Sequence, residues 1–498
     1  MADYLHGAYG TVQAVGTKVA AKSQNAIVYV GTAPVHTIAG GALNVNKPVL
    51  VQSIADARRL FGYSDDWAQY TLCEAMHAHL DLNGVGPLVL INVLDPTTHR
   101  KAEDEIKSLT PGNGRIEMMN AESIILDTVT VKTTATPPVT KIKGTDYAIA
   151  YDVARKTITI AELISGSLGT AALTITYREI NATAVDNNDV IGSTDGTGLN
   201  KGIYAIKNVY QETCHIPSML VVPGFSSVPD VHEAMCKNTI NVNGHWNMYM
   251  RVDIPITDNG TAITLATADT WKNANGYNKP NETVYFPLAK GTDGRVYHLS
   301  VLAAANLQQL LVAQDDIPYK TPSNTECAII QNLYLGAGVT GRAYDDSLIN
   351  NTLNKNGIAS AAYAGGRWVI WGCHSADYNQ SDGTQINVSE TNRMMLYYVS
   401  NDFQNRRTRN VDKPLTSNDI ATIVAEEQTR LDALVKIGAI TFGECRLNAE
   451  GIARSDVMNG DYLFAFSITT TPLAKSLTAL VNWVEDGFEV YFSDLNVA

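Results

Sequence analysis

Two runs of consecutive apolar residues constrain the fold more than any other feature of the sequence. Ala26–Gly31 reads AIVYVG and Pro87–Val93 reads PLVLINV, and neither run alternates as a half-exposed strand would. A strand that is apolar at every position is buried on both faces, as in a parallel sheet with helices on either side. The sequence therefore predicts an α/β core.

Helix signals separate these two strands. A capping box that begins at Ser53 predicts a short helix ending at Gly62, because the serine side chain can accept from an early backbone N–H. A second helix is predicted from Asp65 or Asp66 to Leu80, with apolar residues on one side. Strand, helices and strand in this order are typical of an α/β unit.

The pattern changes after residue 110. Thr- and Val-rich segments alternate between apolar and polar residues, with Gly, Asn and Asp at the turns, which predicts antiparallel strands. Residues 186–198 are predicted as a loop. Because the α/β pattern then resumes, 111–200 is predicted as an inserted outer β domain, and 23–110 with 201–350 as one discontinuous core.

The elements after the insertion complete this core and add a mixed region. The predicted core elements are strands at Ser218–Pro223, Asn247–Ile254 and Glu282–Pro287, with a helix at Leu299–Ala313. An α+β C-terminal domain is predicted over 351–498, with helices at Ile386–Phe403 and Thr416–Ile437 and strands at Arg367–Trp371, Tyr462–Thr469, Leu477–Val484 and Phe488–Phe492. Residues 1–22 are predicted as an extended arm.

Charge and cysteine usage exclude several classes of protein. The chain has 37 Lys and Arg against 50 Asp and Glu, a net charge of -13, whereas nucleic-acid binding favours a basic surplus. The six cysteines include no C-x-x-C pair, so neither a zinc site nor a disulfide scaffold is predicted. With no secretory signal and no apolar run long enough to cross a bilayer, membrane insertion is not expected.

Motifs that suggest chemistry lack their required context. Gly336, Gly338 and Gly341 match G-x-G-x-x-G, but no acidic residue follows at the expected distance. Cys373, His374 and Ser375 are adjacent, and sequence neighbours rarely form a nucleophile and base pair. We therefore predict no catalytic residue, no cofactor and no metal.

One dense basic cluster, NRRTRN, allows two interpretations. Arg406, Arg407 and Arg409 suit a solvated helix end, where cations offset the helix dipole. They equally suit a docking site for an acidic neighbour, and the helix at Thr416–Ile437 carries acidic residues. Both interpretations stay open at this stage.

The order of segments along nearly the whole chain resembles the contractile tail sheath proteins of bacteriophages and related injection machines. The resemblance rests on the conjunction of MADYLHGAYGTVQAVG, SMLVVPGF, NMYMRVDIPI, VYFPLAKG, GGRWVIWGCHS and ETNRMMLYYVSNDFQ. One departure is that Arg393 stands alone where typical sheaths have a paired Arg. The resemblance implies a subtilisin-like core, but no serine motif of its protease triad is found here.

The resemblance implies a mechanical role. Subunits would stack as hexameric rings around a tail tube and contract to drive the tube through a cell envelope. The implied partners are other copies of the chain, the tube protein, and baseplate and tail terminator proteins. The implied location is a virion tail or phage-tail-like particle assembled in the bacterial cytoplasm. The alternatives are another virion protein, such as a tube or capsid protein, and a subtilisin-fold hydrolase.

Two sets of residues are candidates for contacts within such a particle. Apolar residues in the two terminal segments would add strands to neighbouring subunits: Val12, Ala14, Val15, Phe488, Val490 and Phe492. Glu426 and Glu427 on the long C-terminal helix would face basic groups of the tube.

Overall fold

The computed structural model describes residues 25–336, 344–448 and 450–485. The first elements are strands β1 (Asn25–Gly31), β2 (Val49–Val51) and β3 (Leu88–Asn92), helices α1 (Ile54–Phe61) and α2 (Leu72–Ala75), and a π-helical segment at Met76–Leu82. Helix α1 begins after Ser53, whose side chain accepts from the Asp56 N–H, as predicted. The second helix begins at Leu72 rather than Asp65 or Asp66, because 62–71 forms turns that pack Trp67 and Tyr70 against the core.

The segment after β3 folds into two small antiparallel sheets. Its strands are β4 (Glu105–Leu109), β5 (Arg115–Met118), β6 (Thr130–Thr133), β7 (Thr140–Lys141), β8 (Tyr147–Asp152), β9 (Thr157–Glu162) and β10 (Leu173–Tyr177). They pair in the orders β4-β10-β6-β7 and β5-β9-β8 around a separate apolar cluster. The first and last strands pair with each other, and the Lys101 N–H donates to the Glu179 carbonyl at 2.9 Å. The chain thus enters and leaves this insertion side by side.

Residues 186–198 are not all loop. Asp186 caps helix α3 (Asn187–Ile191) with a complete capping box, and Val190 of that helix is fully buried in the main core. Asp186 and Asp189 therefore form the start of a helix. The antiparallel strands of the insertion end at Tyr177, short of the predicted boundary at residue 200.

The chain then returns to the main core. Its remaining helices are α4 (Val209–Thr213), α5 (Pro229–Asn238), α6 (Ala268–Ala274), α7 (Leu299–Ala313) and α8 (Asp346–Thr352). The strands are β11 (Ile216–Val221), β12 (Tyr249–Asp253), β13 (Thr257–Asp258), β14 (Thr261–Ala262), β15 (Glu282–Tyr285), β16 (Leu288–Gly291), β17 (Val296–Tyr297), β18 (Ile330–Tyr334), β19 (Ile358–Ala364) and β20 (Arg367–Trp371).

An eight-stranded sheet forms the centre of the molecule. Its order is β2-β3-β1-β11-β12-β15-β19-β20, parallel from β3 to β19 and antiparallel at both outermost pairs. Every residue of β3 and β12 is buried, which confirms the parallel sheet predicted from the uninterrupted apolar runs. The last two strands lie beyond residue 350, so the sheet reaches into the range predicted as the C-terminal domain.

The C-terminal part contains helices α9 (Glu390–Arg407), α10 (Ser417–Lys436) and α11 (Arg454–Asn459) and strands β21 (Ile440–Leu447) and β22 (Phe464–Thr470). The capping box predicted at Thr416 is present. The strand predicted at Leu477–Val484 is wrong, because 471–484 carries no strand or helix. Within the described ranges, no helix is long and apolar enough to cross a bilayer.

Candidate functional site

Strands β21 and β22 form a two-stranded ribbon that stands apart from the central sheet. An isolated ribbon of this size is marginally stable in water, so it needs support from one face. Helix α9 supplies part of that support: the Phe403 ring centroid lies 5.6 Å from that of Phe464 and 5.3 Å from that of Phe466. Helix α10 packs Leu431 and Leu434 into the same cluster.

The ribbon has an unoccupied edge. Strand β22 pairs with β21 on one side, and no other strand of the described residues pairs with it. The N–H and C=O groups along such an edge form a template that another extended chain can join. The edge of β22 is therefore the candidate contact site of this molecule.

Ion pairs hold the two helices beneath the ribbon together. The Glu427 carboxylate accepts from Arg406 at 2.8 and 2.6 Å and from Arg407 Nε at 2.7 Å. Asp402 extends the network by pairing with Arg406 and with Arg430. Arg406 and Arg407 of the basic cluster thus meet an acidic neighbour, but the neighbour lies on the same chain.

This network corrects the expectation for Glu427. Its side chain is only 2% exposed, so its carboxylate cannot also contact a second protein. Burial raises the pKa of Glu427, but the bonds from Arg406 and Arg407 outweigh burial and the net pKa is lowered. Glu426 is different: its side chain is 55% exposed and pairs with Arg407 at 2.8 Å. Glu426 alone stays a candidate for an external contact.

A second, fully buried ion pair joins the C-terminal helices to the central sheet. Arg251 on β12 donates to Glu390 at the start of α9 across 2.9 Å, and neither side chain is exposed. Thr283 donates to the same carboxylate at 3.2 Å, and Thr321 donates to its other oxygen. Tyr285 accepts from Arg251. The pair fixes the first turn of α9 against the sheet.

Sequence reasoning missed this pair, although a signal was available. Arg251 stands between the apolar residues Met250 and Val252 in NMYMRVDIPI. A charge within a buried strand requires a buried partner. The segment ETNRMM begins with an acid at a helix start, but nothing in the sequence shows that its carboxylate lies beside β12.

Polar residues also fix the start of α7 against the carboxyl end of β12. Asp253 accepts from the Ser300 N–H at 3.1 Å and from its hydroxyl at 2.5 Å, and burial raises the pKa of Asp253. Glu74 accepts from the His298 ring at 2.7 Å. Burial would lower the pKa of His298, but the carboxylate of Glu74 raises it to about 9.

The residues singled out in the sequence as possible chemistry do not form a catalytic group. The Ser375 hydroxyl donates to Asp377 at 2.7 Å, and His374 donates to the Val388 carbonyl at 2.7 Å. Burial raises the pKa of the Cys373 thiol to about 11. The glycine-rich motif lies largely outside the described residues, because 337–343 is not described.

One group in the described part of the chain has the composition of a metal site. Candidate ligand atoms of His232, Cys236 and Glu282 lie within 4.8 Å of one another. The His232 ring donates to Glu282 at 2.6 Å and stacks on Tyr277 at a centroid distance of 3.8 Å. These contacts satisfy the buried His232 and Glu282 without an ion.

The two predicted connecting arms lie outside the described residues. This applies to all six apolar candidates: Val12, Ala14, Val15, Phe488, Val490 and Phe492. The described chain that leads toward the C-terminal candidates is rich in exposed apolar side chains, with Leu477 at 92%, Leu480 at 86% and Val481 at 87% exposure.

The arrangement of sheets and helices is similar to that of chains in contractile injection particles. The fold matches a chain of the anti-feeding prophage baseplate, 6-fold symmetrised, with a TM-score of 0.55 and 12% identity, covering 97% of this chain and 100% of that one. It matches the contracted PVC sheath complex of an extracellular contractile injection system with a TM-score of 0.52 and 10% identity, covering 97% and 100%. It matches the contracted anti-feeding prophage helical sheath with a TM-score of 0.52 and 12% identity, covering 96% of this chain and 99% of that one.

The sequence is also similar to that of a phage tail sheath protein. Over 271 residues the chain is 28% identical to the tail sheath protein of Burkholderia phage BcepMu. The aligned region covers 54% of this chain and 51% of the phage protein. The matched region thus spans about half the length of that protein. No family model matches the chain. The resemblance to tail sheath proteins is confirmed by a homologue and by the fold.

Proposed function

We propose that this chain is the structural subunit of a contractile tail sheath, which polymerises around a tail tube and shortens to drive the tube through a cell envelope. The observation that carries the proposal is the fold similarity to sheath-particle chains over 96–97% of this chain. The phage relative adds sequence support. A tube or capsid protein would not be expected to share this arrangement over nearly its whole length.

The open edge of β22 supports polymerisation of the chain. Terminal segments with apolar residues would be unstable alone, and each would find backbone partners if it joined the ribbon of a neighbouring copy. Such connections are built from backbone hydrogen bonds. They would persist while the packing between subunit cores changes during contraction.

The proposed role is structural rather than enzymatic. Its core would share a subtilisin-like arrangement without the chemistry, since fold does not imply function. The proposed partners are further copies in hexameric rings, a tube protein, and baseplate and terminator proteins. The proposed location is the tail of a virion or phage-tail-like particle that assembles in the host cytoplasm.

Electron microscopy of the expressed full chain tests the proposal. We expect hollow cylinders built of stacked six-membered rings. Deletion of residues 1–16, or separately of 488–498, should leave the circular dichroism spectrum unchanged and abolish the cylinders. A full chain that forms closed shells, or that stays monomeric at every concentration and in the presence of tube protein, would refute the assignment.

A further inference from the structure

Two potential metal ligands converge on one ring nitrogen between helix α5 and strand β15. Nε2 of His232 lies 2.6 Å from a carboxylate oxygen of Glu282 and 3.5 Å from the sulfur of Cys236. If this nitrogen carries a proton, it donates to the carboxylate but has no lone pair with which to accept from the thiol. A cation bound to the nitrogen can bond to both neighbouring atoms at once, so a metal uses the whole arrangement where a hydrogen bond uses part of it.

The spacing along α5 brings the nitrogen and the sulfur together. His232 and Cys236 are four residues apart on this helix, so their side chains lie on the same face, one turn apart. That face meets Glu282, the first residue of β15. The side chains of His232 and Glu282 are 4% and 0% exposed, and Cys236 is half-buried. The three ligands thus come from one helix and one strand of the central sheet.

The ligand side chains are oriented by groups that are not ligands themselves. The Tyr277 ring stacks on His232 at an interplanar angle of 11°, and its hydroxyl donates to the Ser226 carbonyl at 2.9 Å. The second carboxylate oxygen of Glu282 accepts from the Lys279 N–H at 2.9 Å. Contacts of this kind fix ligand orientation around protein-bound metals. The ring plane and the direction of the carboxylate are therefore set before an ion binds.

The distances between the ligand atoms are close to those of a zinc site. Zinc bonds of about 2.0–2.3 Å place neighbouring ligand atoms of a tetrahedral site roughly 3.3–3.7 Å apart. The distance from the His232 nitrogen to the Cys236 sulfur is 3.5 Å, and all three ligand atoms lie within 4.8 Å of one another. The hydrogen-bonded distance between His232 and Glu282 would have to increase by about 0.7 Å when an ion replaces the proton.

The chemistry of the three donors favours zinc. Imidazole nitrogen, thiolate and carboxylate are all zinc ligands, whereas magnesium and calcium take oxygen. The thiolate and the carboxylate together balance the charge of Zn²⁺, so the buried complex is neutral. Binding releases the thiol proton to solvent, and the Nε2 proton of His232 moves to Nδ1 of the same ring or is also released. Because the group has three members in the described part of the chain, water completes the coordination.

We propose that His232, Cys236 and Glu282 bind one Zn²⁺ ion, which ties helix α5 to strand β15. This strand lies between β12 and β19 in the central sheet. An ion bonded to both elements resists their separation and makes the stability of the subunit depend on metal. The inference concerns the single subunit and goes beyond the proposed function, which does not require it.

Titration of the unassembled full chain with Co²⁺, kept reduced by a reductant without thiols, tests the site. Cobalt takes the place of zinc, and its absorption spectrum reports its ligands. We expect one Co²⁺ per chain, a charge-transfer band from thiolate to metal, and displacement of Co²⁺ by Zn²⁺. Zn²⁺ should also raise the midpoint of urea unfolding, because an ion that binds only the folded state stabilises it. A chain that binds no Co²⁺, or binds it without the charge-transfer band, overturns the inference.

The variant Cys236→Ser removes the sulfur ligand at a half-buried position. It should abolish the charge-transfer band and weaken Zn²⁺ binding by at least about 100-fold, since loss of an outer contact alone costs about 10–100-fold. Cys214→Ser, which removes an exposed thiol, is the matched control and should leave the band and the affinity unchanged. A band that persists in Cys236→Ser, or disappears in Cys214→Ser, would place the ion elsewhere and overturn the inference.

Discussion

The buried pair Arg251–Glu390 should dominate the attachment of the C-terminal helices to the central sheet. We consider the change Glu390→Ala. It removes the acceptor of Arg251, Thr283 and Thr321 and leaves a fully buried guanidinium without its counter-charge. Arg251 Nε already has no partner in the described structure, and after the change the Tyr285 hydroxyl is the one acceptor that the described residues still offer to this guanidinium.

The expected magnitude follows from this geometry. Removing one partner of a buried ion pair costs about 3–5 kcal/mol, because the other charge stays buried and unpaired. That is a large part of the roughly 5–15 kcal/mol that stabilises a typical domain. Glu390→Gln keeps an acceptor but not the charge, and it should cost about 1–3 kcal/mol.

Urea unfolding of the unassembled subunit, followed by circular dichroism and fluorescence, measures the change in free energy of unfolding. The matched control is Glu233→Ala, which breaks the exposed pair with Lys237 and should leave the unfolding curve nearly unchanged. Proteolysis between 372 and 389, the segment that joins β20 to α9, should also become faster in Glu390→Ala.

A double-mutant cycle decides whether the charge pair or the lost volume is responsible. Arg251→Met alone should also cost about 3–5 kcal/mol. The double variant Arg251→Met with Glu390→Ala should lose at least about 2 kcal/mol less than the sum of the two single changes. Strictly additive losses, or a loss below about 1 kcal/mol for Glu390→Ala, would show that the pair does not hold the helices in place.

Three further predictions concern other parts of the molecule. Replacing 102–178 with a short Gly/Ser linker should leave a chain that assembles, because Lys101 and Glu179 on either side of the deleted segment are hydrogen-bonded to each other. A circular dichroism spectrum showing that the shortened chain is unfolded would contradict this. Because the pKa of Glu427 is lowered in the folded state, its ionised form stabilises the fold above the ordinary carboxyl pKa of about 4.3, and this contribution is lost as the pH falls. Between about pH 4.5 and 3 the wild type should therefore lose more free energy of unfolding than Glu427→Gln. Equal losses in the two proteins would show that ionisation of Glu427 does not stabilise the fold. Glu426→Lys should change the free energy of unfolding by less than about 1 kcal/mol. When it is co-expressed with tube protein, it should fail to assemble around the tube. Normal tube-filled particles would show that Glu426 does not contact the tube protein.

The sequence predicts those parts of the fold that depend on local pattern. Uninterrupted apolar runs predict the parallel strands β1 and β3, and the capping box at Thr416 predicts the start of α10. Both are written into a few adjacent residues. The strand predicted at Leu477–Val484 fails because an apolar run shows only that burial is favourable, not that a partner is present in the same chain.

The candidate site depends on distant residues, and the sequence predicts less of it. Glu427 is predicted as a surface acid because helix periodicity does not show that Arg406 and Arg407 lie opposite it. The Gln428 side chain on α10 donates to the Gly443 carbonyl on β21, 15 residues later in the chain. Contacts of this kind follow from packing angles between helices and strands, which a hydrophobic pattern does not specify.

The side-by-side crossings of the insertion have a mechanical meaning. Strand β1 lies between β3, which precedes the insertion, and β11, which follows it. A load across the sheet can therefore pass from β3 through β1 to β11 by way of their backbone hydrogen bonds, without passing through the strands of 105–177. The insertion can lengthen, shrink or exchange its exposed loops while its own small core stays packed and its contacts with the main core, such as that between His36 and the Glu122 carbonyl, are kept. A particle built from such subunits would renew its outer surface while the load-bearing sheet stays the same.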